Sequence, residues 1–343
     1  MYKVLGISSG GGVSLYPFKK YLIGNIEGRA IFHTPGNKQW KENFKGIPLY
    51  RQIHQDYIPE FSPDVVISSP DCGSGSVLRF SRAKKLGDHK KNDSLSMFFS
   101  GIVYWQPKFF LFENLEGLFK SFERGDFYYI LDNYRLIEHV APVTMWGNSQ
   151  IHRKRLIIVG IRKDLNPKID RYFKLPDYRD RNKTCDQLYG DLDNIRDFNT
   201  SVSTAHIRES ILSEITIYAG KKMSITQIRD HWQTELKNKK RWEVTDRKFK
   251  NAPGVYRNRK NDYPATARKA NRQFDHNGLM LSPRQLARIQ GVPDEFKIMI
   301  NPSNLNYWIN KGRALVTKTP PMEISQWFKR KLDKTLKRGL WKS

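Results

Sequence analysis

The sequence predicts a doubly wound, mostly parallel α/β sheet that carries a second, smaller domain. Apolar, strand-like runs alternate with helical stretches through the first half of the chain. A glycine-rich turn, SGGGVS, follows the first of those runs, where such folds place a ligand at the carboxyl end of a strand. After about residue 165 the alternation stops and a long, polar and then basic region begins.

Taken in order, YKVLGIS is the first strand and the run from Tyr21 to Glu27 the second, ending on an acid. DVVISS is a third run and KFFLFENL a fourth. Between those two, apolar residues from Ser94 to Trp105 recur at helical spacing. LIEHVAPVTMW and RLIIVGIR then read as an antiparallel pair. Residues 166–200 are rich in Asp, Arg and Asn with little periodicity, and Ile207 to Ala219 and Ser224 to Leu236 read as two short helices.

The 343 residues are enough for two domains with at least one sizeable core. Two cysteines, Cys72 and Cys185, cannot build a disulfide framework, and neither they nor the eight histidines show metal-ligand spacing. No metal is expected. The opening lacks a secretory pattern, and runs such as LIIVGI are too short to span a bilayer, which predicts a cytoplasmic protein. A formal net charge of +26 favours a polyanionic partner, because each phosphate contact releases condensed counterions. Residues 221–280 hold 16 Lys or Arg against 6 Asp or Glu, with Trp232, Trp242, Phe249, Tyr256 and Tyr263 interleaved. Cations mixed with flat aromatics suit a phosphate-contacting surface.

Four local patterns carry chemistry. Ser8, Ser9, Gly10 and Gly11 form a turn that lets backbone approach a ligand, and Glu27 at the next strand end can hold ribose hydroxyls. The stretch SPDCGSGS puts Cys72 at a strand end on a Gly/Ser turn, where it is either a nucleophile or an ordinary surface thiol. Glu113 in FENLEGL closes an apolar strand, so it is either a partly desolvated proton donor or a helix-capping acid. Arg153 and Arg155 stand two apart at a strand entrance, where two forks on one face can grip a base carbonyl or a phosphate.

The order of these pieces, followed by LSPRQLARIQGVPDEF and GRALV, resembles the C5-cytosine DNA methyltransferase family over nearly the whole chain. SPDCGSGS stands at the family's Pro-Cys loop, FENLEGL at its Glu-Asn-Val motif and HRKRLIIVG at its paired-arginine motif. The most specific match is SPRQLARIQGVPDEF, where the family typically reads T-x-R-E-x-A-R-L-Q-G-F-P-D. The resemblance implies a class I methyltransferase fold, with residues 1–165 and 305–343 as the catalytic domain and 166–304 as the target-recognition domain. It implies Cys72, Glu113, Arg153 and Arg155 as catalytic residues acting on a flipped cytosine in double-stranded DNA. It implies S-adenosylmethionine as cofactor, held by Ser8, Ser9, Gly10, Gly11, Glu27, Gln52, Leu95, Arg313 and Ala314. A monomeric enzyme of prokaryotic or viral origin is expected, in a restriction-modification or genome-modification role.

Several positions depart from the family pattern. Gly6-Ile7-Ser8-Ser9-Gly10 replaces Asp-Leu-Phe-x-Gly, Asp71 replaces the proline before the cysteine, and the glutamine before Arg153 is shifted to Gln150. Arg313 stands where the family has an asparagine near the sulfonium. Two unit charges ~4 Å apart repel by about 4 kcal/mol at an effective dielectric of 20, whereas carboxy-S-adenosylmethionine would turn that penalty into an attraction. Carboxymethyl transfer is therefore an alternative expectation. A DNA-binding homologue without catalysis is another, and a tRNA-methylating relative a third.

Overall fold

In the computed structural model, the described residues are 1–27, 35–51, 60, 62–70, 93–120, 123–192, 256–257, 260–264, 266–267, 273–274, 281, 283–298, 316–317 and 319–341. Seven strands make one sheet: β1 (Val4–Ile7), β2 (Leu22–Glu27), β3 (Leu49–Arg51), β4 (Val65–Ser68), β5 (Phe109–Asn114), β6 (Tyr134–Pro142) and β7 (Lys154–Arg162). Their order is β3-β2-β1-β4-β5-β7-β6. The pairs β2–β3, β1–β2, β1–β4 and β4–β5 are parallel, whereas β7 runs against both β5 and β6. The six strands expected, from the first four runs and the antiparallel pair, are thus all present in the predicted senses; β3 and the helix before it were not foreseen. Three residues, Leu-Tyr-Arg, are too few to show a period.

Parallel strands covered on both faces read as continuous apolar runs, and β4 and β5 are buried at every position. On one face lies α2 (Asp93–Trp105), which follows α1 (Pro35–Asn43) in the chain. Its Leu95, Phe98 and Ile102 enter the core, and the Phe98 ring sits 4.8 Å from Phe112 and 5.5 Å from Phe110. Phe127 of α3 (Arg124–Ile130) closes the same cluster, 5.2 Å from Phe112. Phe109, on the opposite side of β5, meets Trp341 at 4.8 Å and Phe173 at 6.1 Å. Trp327 and Phe328, from a long C-terminal helix, cover Phe173 there. Each fully buried aromatic contributes about 1.5–3 kcal/mol, so this three-layer arrangement rests mainly on its phenylalanines and tryptophans.

The chain divides into two compact units, Met1–Gly147 with Arg153–Asp180 and Thr319–Ser343, and Asn148–His152 with Arg181–Lys318. Residues 167–180 belong to the sheet unit because Ile169 and Phe173 are buried and Tyr178 donates its amide to the Met145 carbonyl at 2.9 Å. The short segment Asn148–His152 leaves the sheet unit instead, being bonded to residues of the second.

In that second unit, α4 (Cys185–Tyr189), β8 (Tyr256–Arg257), β9 (Gln273–Phe274) and α5 (Pro283–Ile289) are described. The expected helices at 207–219 and 224–236 lie outside the described residues. A buried amide network organises the unit: Gln150 Nε2 donates to Asn148 Oδ1 and to Gln290 Oε1, both at 2.9 Å. Gln150 Oε1 accepts the Ala267 amide at 2.8 Å, and Asn148 Nδ2 donates to the Ile289 carbonyl. Among the described residues, no helix is long and apolar enough to cross a membrane.

Gly160 of β7 faces Phe110 of β5, and a Cβ built there would lie 1.9 Å from the ring. Gly160→Val should therefore destabilise the sheet unit by about 1–3 kcal/mol or more, read as a lowered urea midpoint. Gly125→Ala, where nothing lies within 4 Å, should leave that midpoint unchanged or raise it.

Candidate active site

The strand order reverses between β1 and β4, which opens a crevice at the carboxyl edge of the sheet. Ser68 Oγ, at the end of β4, donates to the Ile7 carbonyl at 2.8 Å and ties the two strand ends together. The ends of β1, β2, β4 and β5 share this edge. Because β7 is antiparallel, its amino end arrives there too, with Leu156 opposite Asn114 and Ile157 opposite Glu113.

Glu113 is 6 % exposed and held from two sides. Its Oε1 pairs with Arg155 Nε at 2.7 Å, and its Oε2 accepts from Ser69 Oγ at 2.6 Å. Beside it, buried Asn114 accepts the Leu115 amide on Oδ1 at 2.8 Å and reaches the Pro70 carbonyl at 3.4 Å with Nδ2. Asn114 thus takes a backbone amide of the turn after β5, and Glu113 faces the guanidinium. Ser69 and Pro70 are the residues through which the chain leaves β4 towards Cys72, and Cys72 itself lies outside the described residues.

Arg153 does not share a face with Arg155 as the two-residue spacing suggested. It precedes β7, behind His152 at φ 62°, so the alternation of a strand does not extend to it. Its guanidinium is buried and donates to the Thr319 carbonyl at 3.0 Å. Arg155 alone of the pair meets the acid.

At the other end of the edge, Glu27 is 3 % exposed, and no cation among the described residues is bonded to it. Its Oε1 accepts from Asn25 Nδ2 at 2.9 Å and from Ser9 Oγ at 3.4 Å, and its carboxyl also takes the backbone amides of Ser9 and Gly10. Gly6 makes room for this arrangement, since a Cβ there would lie 2.4 Å from Asn25 Oδ1. Burial pushes the Glu27 carboxyl up to about 8, and the four hydrogen bonds only partly oppose it. Gly10 holds φ 69° and Gly11 accepts from Gln39 Nε2 at 3.1 Å, so α1 fixes the turn from below. Leu95 is placed in the apolar core with Leu5, Ile7, Val66 and Phe98. Gln52, Arg313 and Ala314 lie outside the described residues.

Sequence reading missed Ser69, Asn25, Gln39 and Thr319. Ser69 and Asn25 sit three and two positions from Cys72 and Glu27, but nothing in a run of apolar or polar letters says which way their side chains turn. The second cysteine, Cys185, is buried at the start of α4, and burial pushes its thiol up to about 11, which leaves it protonated and inert near neutrality.

The family model for C-5 cytosine-specific DNA methylases matches residues 36–317. The chain belongs to that family. The methylase is 24 % identical over 300 residues to the type II methyltransferase M.NgoPII of Neisseria gonorrhoeae, covering 84 % of this chain and 82 % of that one. It is likewise 24 % identical over 360 residues to the type II methyltransferase M.FnuDI of Fusobacterium nucleatum, covering 97 % and 95 %. Among solved structures, one of a DNA modification methyltransferase encoded within an E. coli prophage superposes with a TM-score of 0.64 at 16 % identity, covering 98 % of this chain and all of that one. That last likeness is one of fold. DNA is accordingly the substrate of the methylase, and its sheet order is that of a mostly parallel class I fold.

The buried Glu27 carboxyl makes folding pH-dependent. Its penalty is absent below about 4.5, grows as pH rises, and is complete once pH passes about 8. The unfolding free energy should fall across that window by no more than about 1.4 kcal/mol per pH unit from this group. In Glu27→Gln that component should vanish, and urea midpoints measured at the two ends of the window check it.

Proposed function

We propose that this chain is a DNA (cytosine-5) methyltransferase that works through a transient Cys72 adduct on a cytosine flipped out of double-stranded DNA, acting as a monomer. The observation that carries the reading is the Glu113 carboxyl, clamped by Arg155 and Ser69 at the carboxyl edge, three residues before Cys72 in the case of Ser69. Extended backbone spans at most ~3.6 Å per residue, so the Cys72 Cα lies within about 11 Å of the Ser69 Cα.

The residues of the first turn suit S-adenosylmethionine. Ser8 Oγ is buried with no hydrogen-bond partner among the described residues. A Cβ built on Gly10 would meet only the Thr319 methyl, at 3.7 Å, which leaves that backbone open to a ligand. Ser8, Ser9, Gly10 and Gly11 would face the methionine end, while Glu27 would take the ribose hydroxyls as donors. Bound there, the cofactor supplies an electrophilic sulfonium methyl.

Unactivated C5 of cytosine is too weak a nucleophile to take that carbon. The Cys72 thiolate adds to C6, which breaks the ring's aromaticity and moves the electron pair towards C5 and N3. As that charge builds, a proton taken up from water passes through Glu113 to N3, which leaves the carboxylate ionised beside Arg155, whose guanidinium faces the O2 side of the base. Arg153 supports this from behind by anchoring the start of β7 to Thr319. Once C5 carries the new group, a base removes the C5 proton, the Cys72–C6 bond breaks with its electrons returning to sulfur, and N3 returns its proton through Glu113 to water. Atoms and charges balance without any redox partner.

The relatives are methyltransferases by name, and no described residue favours carboxymethyl transfer, which rests on the identity of Arg313 alone. A duplex carrying 5-fluorocytosine should become covalently joined to the wild-type chain, because fluorine cannot leave C5 and elimination stalls. Cys72→Ala should form no adduct and lose at least a thousandfold in transfer rate while still binding DNA, an order of magnitude typical of removing a nucleophile. Wild-type turnover by Cys72→Ala overturns the assignment, and mass spectrometry of the treated DNA separates methyl from carboxymethyl product.

A further inference from the structure

Four cations along one side of the sheet unit take no part in this chemistry. They surround α6 (Met322–Lys337) and the segment 167–173 packed against it. The Arg171 and Arg338 guanidiniums each lie 5.3 Å from the centroid of the Tyr172 ring, and Lys334 Nζ lies 5.8 Å from it. Both guanidiniums also donate to the Tyr172 hydroxyl, that of Arg171 at 3.4 Å. Arg330 sits 5.6 Å over the ring of Tyr178.

None of these four cations makes an ion pair among the described residues. The carboxylates beside them in sequence are already engaged: Asp333 takes Lys329 at 2.6 Å and the Tyr2 hydroxyl at 2.9 Å, and Asp170 is held by Arg135 at 3.0 Å. Gathering like charges on one phenol costs Coulomb energy that exposed cation–π contacts offset only in part. An external anion resolves that imbalance. The aromatic rings meanwhile hold the guanidinium forks in fixed orientations, which lowers the entropy lost when a phosphate arrives.

The positions of Arg171, Lys334 and Arg338 separate these three from the catalytic edge, and Arg330 continues the stripe from the middle of α6. The start of α6 follows Thr319, whose carbonyl holds Arg153, whereas Asp333 near its end bonds Tyr2, just before β1. Along a helix rising 1.5 Å per residue, these ends lie on the order of 20 Å apart, at opposite edges of the sheet. Arg330, Lys334 and Arg338 recur every fourth residue and so share one side of the helix, a stripe about 12 Å long.

We propose that Arg171, Arg330, Lys334 and Arg338 form a second contact surface for duplex DNA, one that grips phosphates outside the catalytic cleft. The proposal rests on the reading that this chain acts on DNA, which its family and its net charge of +26 support. A stripe of about 12 Å spans roughly three or four phosphates of one strand, so several of these side chains can be engaged together. Such a grip would hold flanking or neighbouring duplex while the cleft samples bases.

Fluorescence anisotropy on the full chain tests this without turnover, using duplexes of about 12 and about 40 base pairs over a range of salt. The variant is R171Q/R330Q/K334Q/R338Q, with exposed R330Q/K334Q as the milder companion should the fourfold change disturb folding. Affinity for the short duplex should stay within about twofold of wild type, and affinity for the long duplex should fall at least tenfold. On the long duplex, the slope of log K against log salt should become shallower by about 0.9 for each phosphate contact removed, up to about 3.6 for the fourfold variant. An unchanged slope overturns the proposal, and so does an equal loss on both duplexes, which would place these residues in the cleft's own interface. A wild-type chain that binds neither duplex would sink the DNA reading itself, whereas one that binds both but forms no 5-fluorocytosine adduct would sink only the covalent chemistry.

Discussion

The ion pair between Glu113 and Arg155 depends on β7 running against β5. Strands advance about 3.3 Å per residue, so a nine-residue β7 laid parallel would carry Arg155 to the opposite edge, more than about 25 Å away. Reversed, it delivers the guanidinium beside the carboxylate that ends β5. Both groups are largely buried, and removing either would leave an uncompensated charge in the interior at a cost of about 3–5 kcal/mol. The pair therefore constrains the edge of the sheet as well as the chemistry placed there. Ser69 takes the remaining carboxylate oxygen, which links the same pair to the strand that leads into the cysteine loop.

Two acids share this edge under different compensation. Glu113 faces a full positive charge, whereas among the described residues Glu27 is bonded to an amide, a hydroxyl and two backbone N–H groups. Dipoles offset desolvation less completely than a guanidinium does, which is why the Glu27 carboxyl moves up to about 8. The hydroxyl-bearing ligand that we propose for this turn would donate to the carboxylate and favour its ionised form.

The motif most diagnostic of the family has its own physical account in the second unit. In SPRQLARIQGVPDEF, Arg284 donates to the Pro293 and Phe296 carbonyls and Arg288 pairs with Asp294 and Asp191. Gln290 accepts from Gln150 and donates to the Val316 and Thr317 carbonyls. These side chains satisfy backbone groups that a short helix and the turn after it would otherwise leave buried and unpaired. The residue types in the motif thus match what these backbone groups need, and Gln150 reaches the same network through Gln290.

Strand runs, the helix at 94–105, the antiparallel pair and the acids ending two strands were all legible, because burial on both faces leaves an apolar run and its end carries the functional letter. The ordered motifs named the family for the same reason: a chemistry with a thiol, an acid and a guanidinium needs those residue types in any sequence that performs it. Which partner each side chain takes was decided only by the tertiary structure. The sequence placed Arg153 with Arg155, yet a turn at His152 sends one guanidinium to Thr319 and the other to Glu113. Ser69 and Asn25 acquired roles, and the unit borders were set, through contacts between residues far apart in the chain. A linear string records what each residue can donate or accept, whereas the direction of a side chain depends on backbone angles set by packing elsewhere.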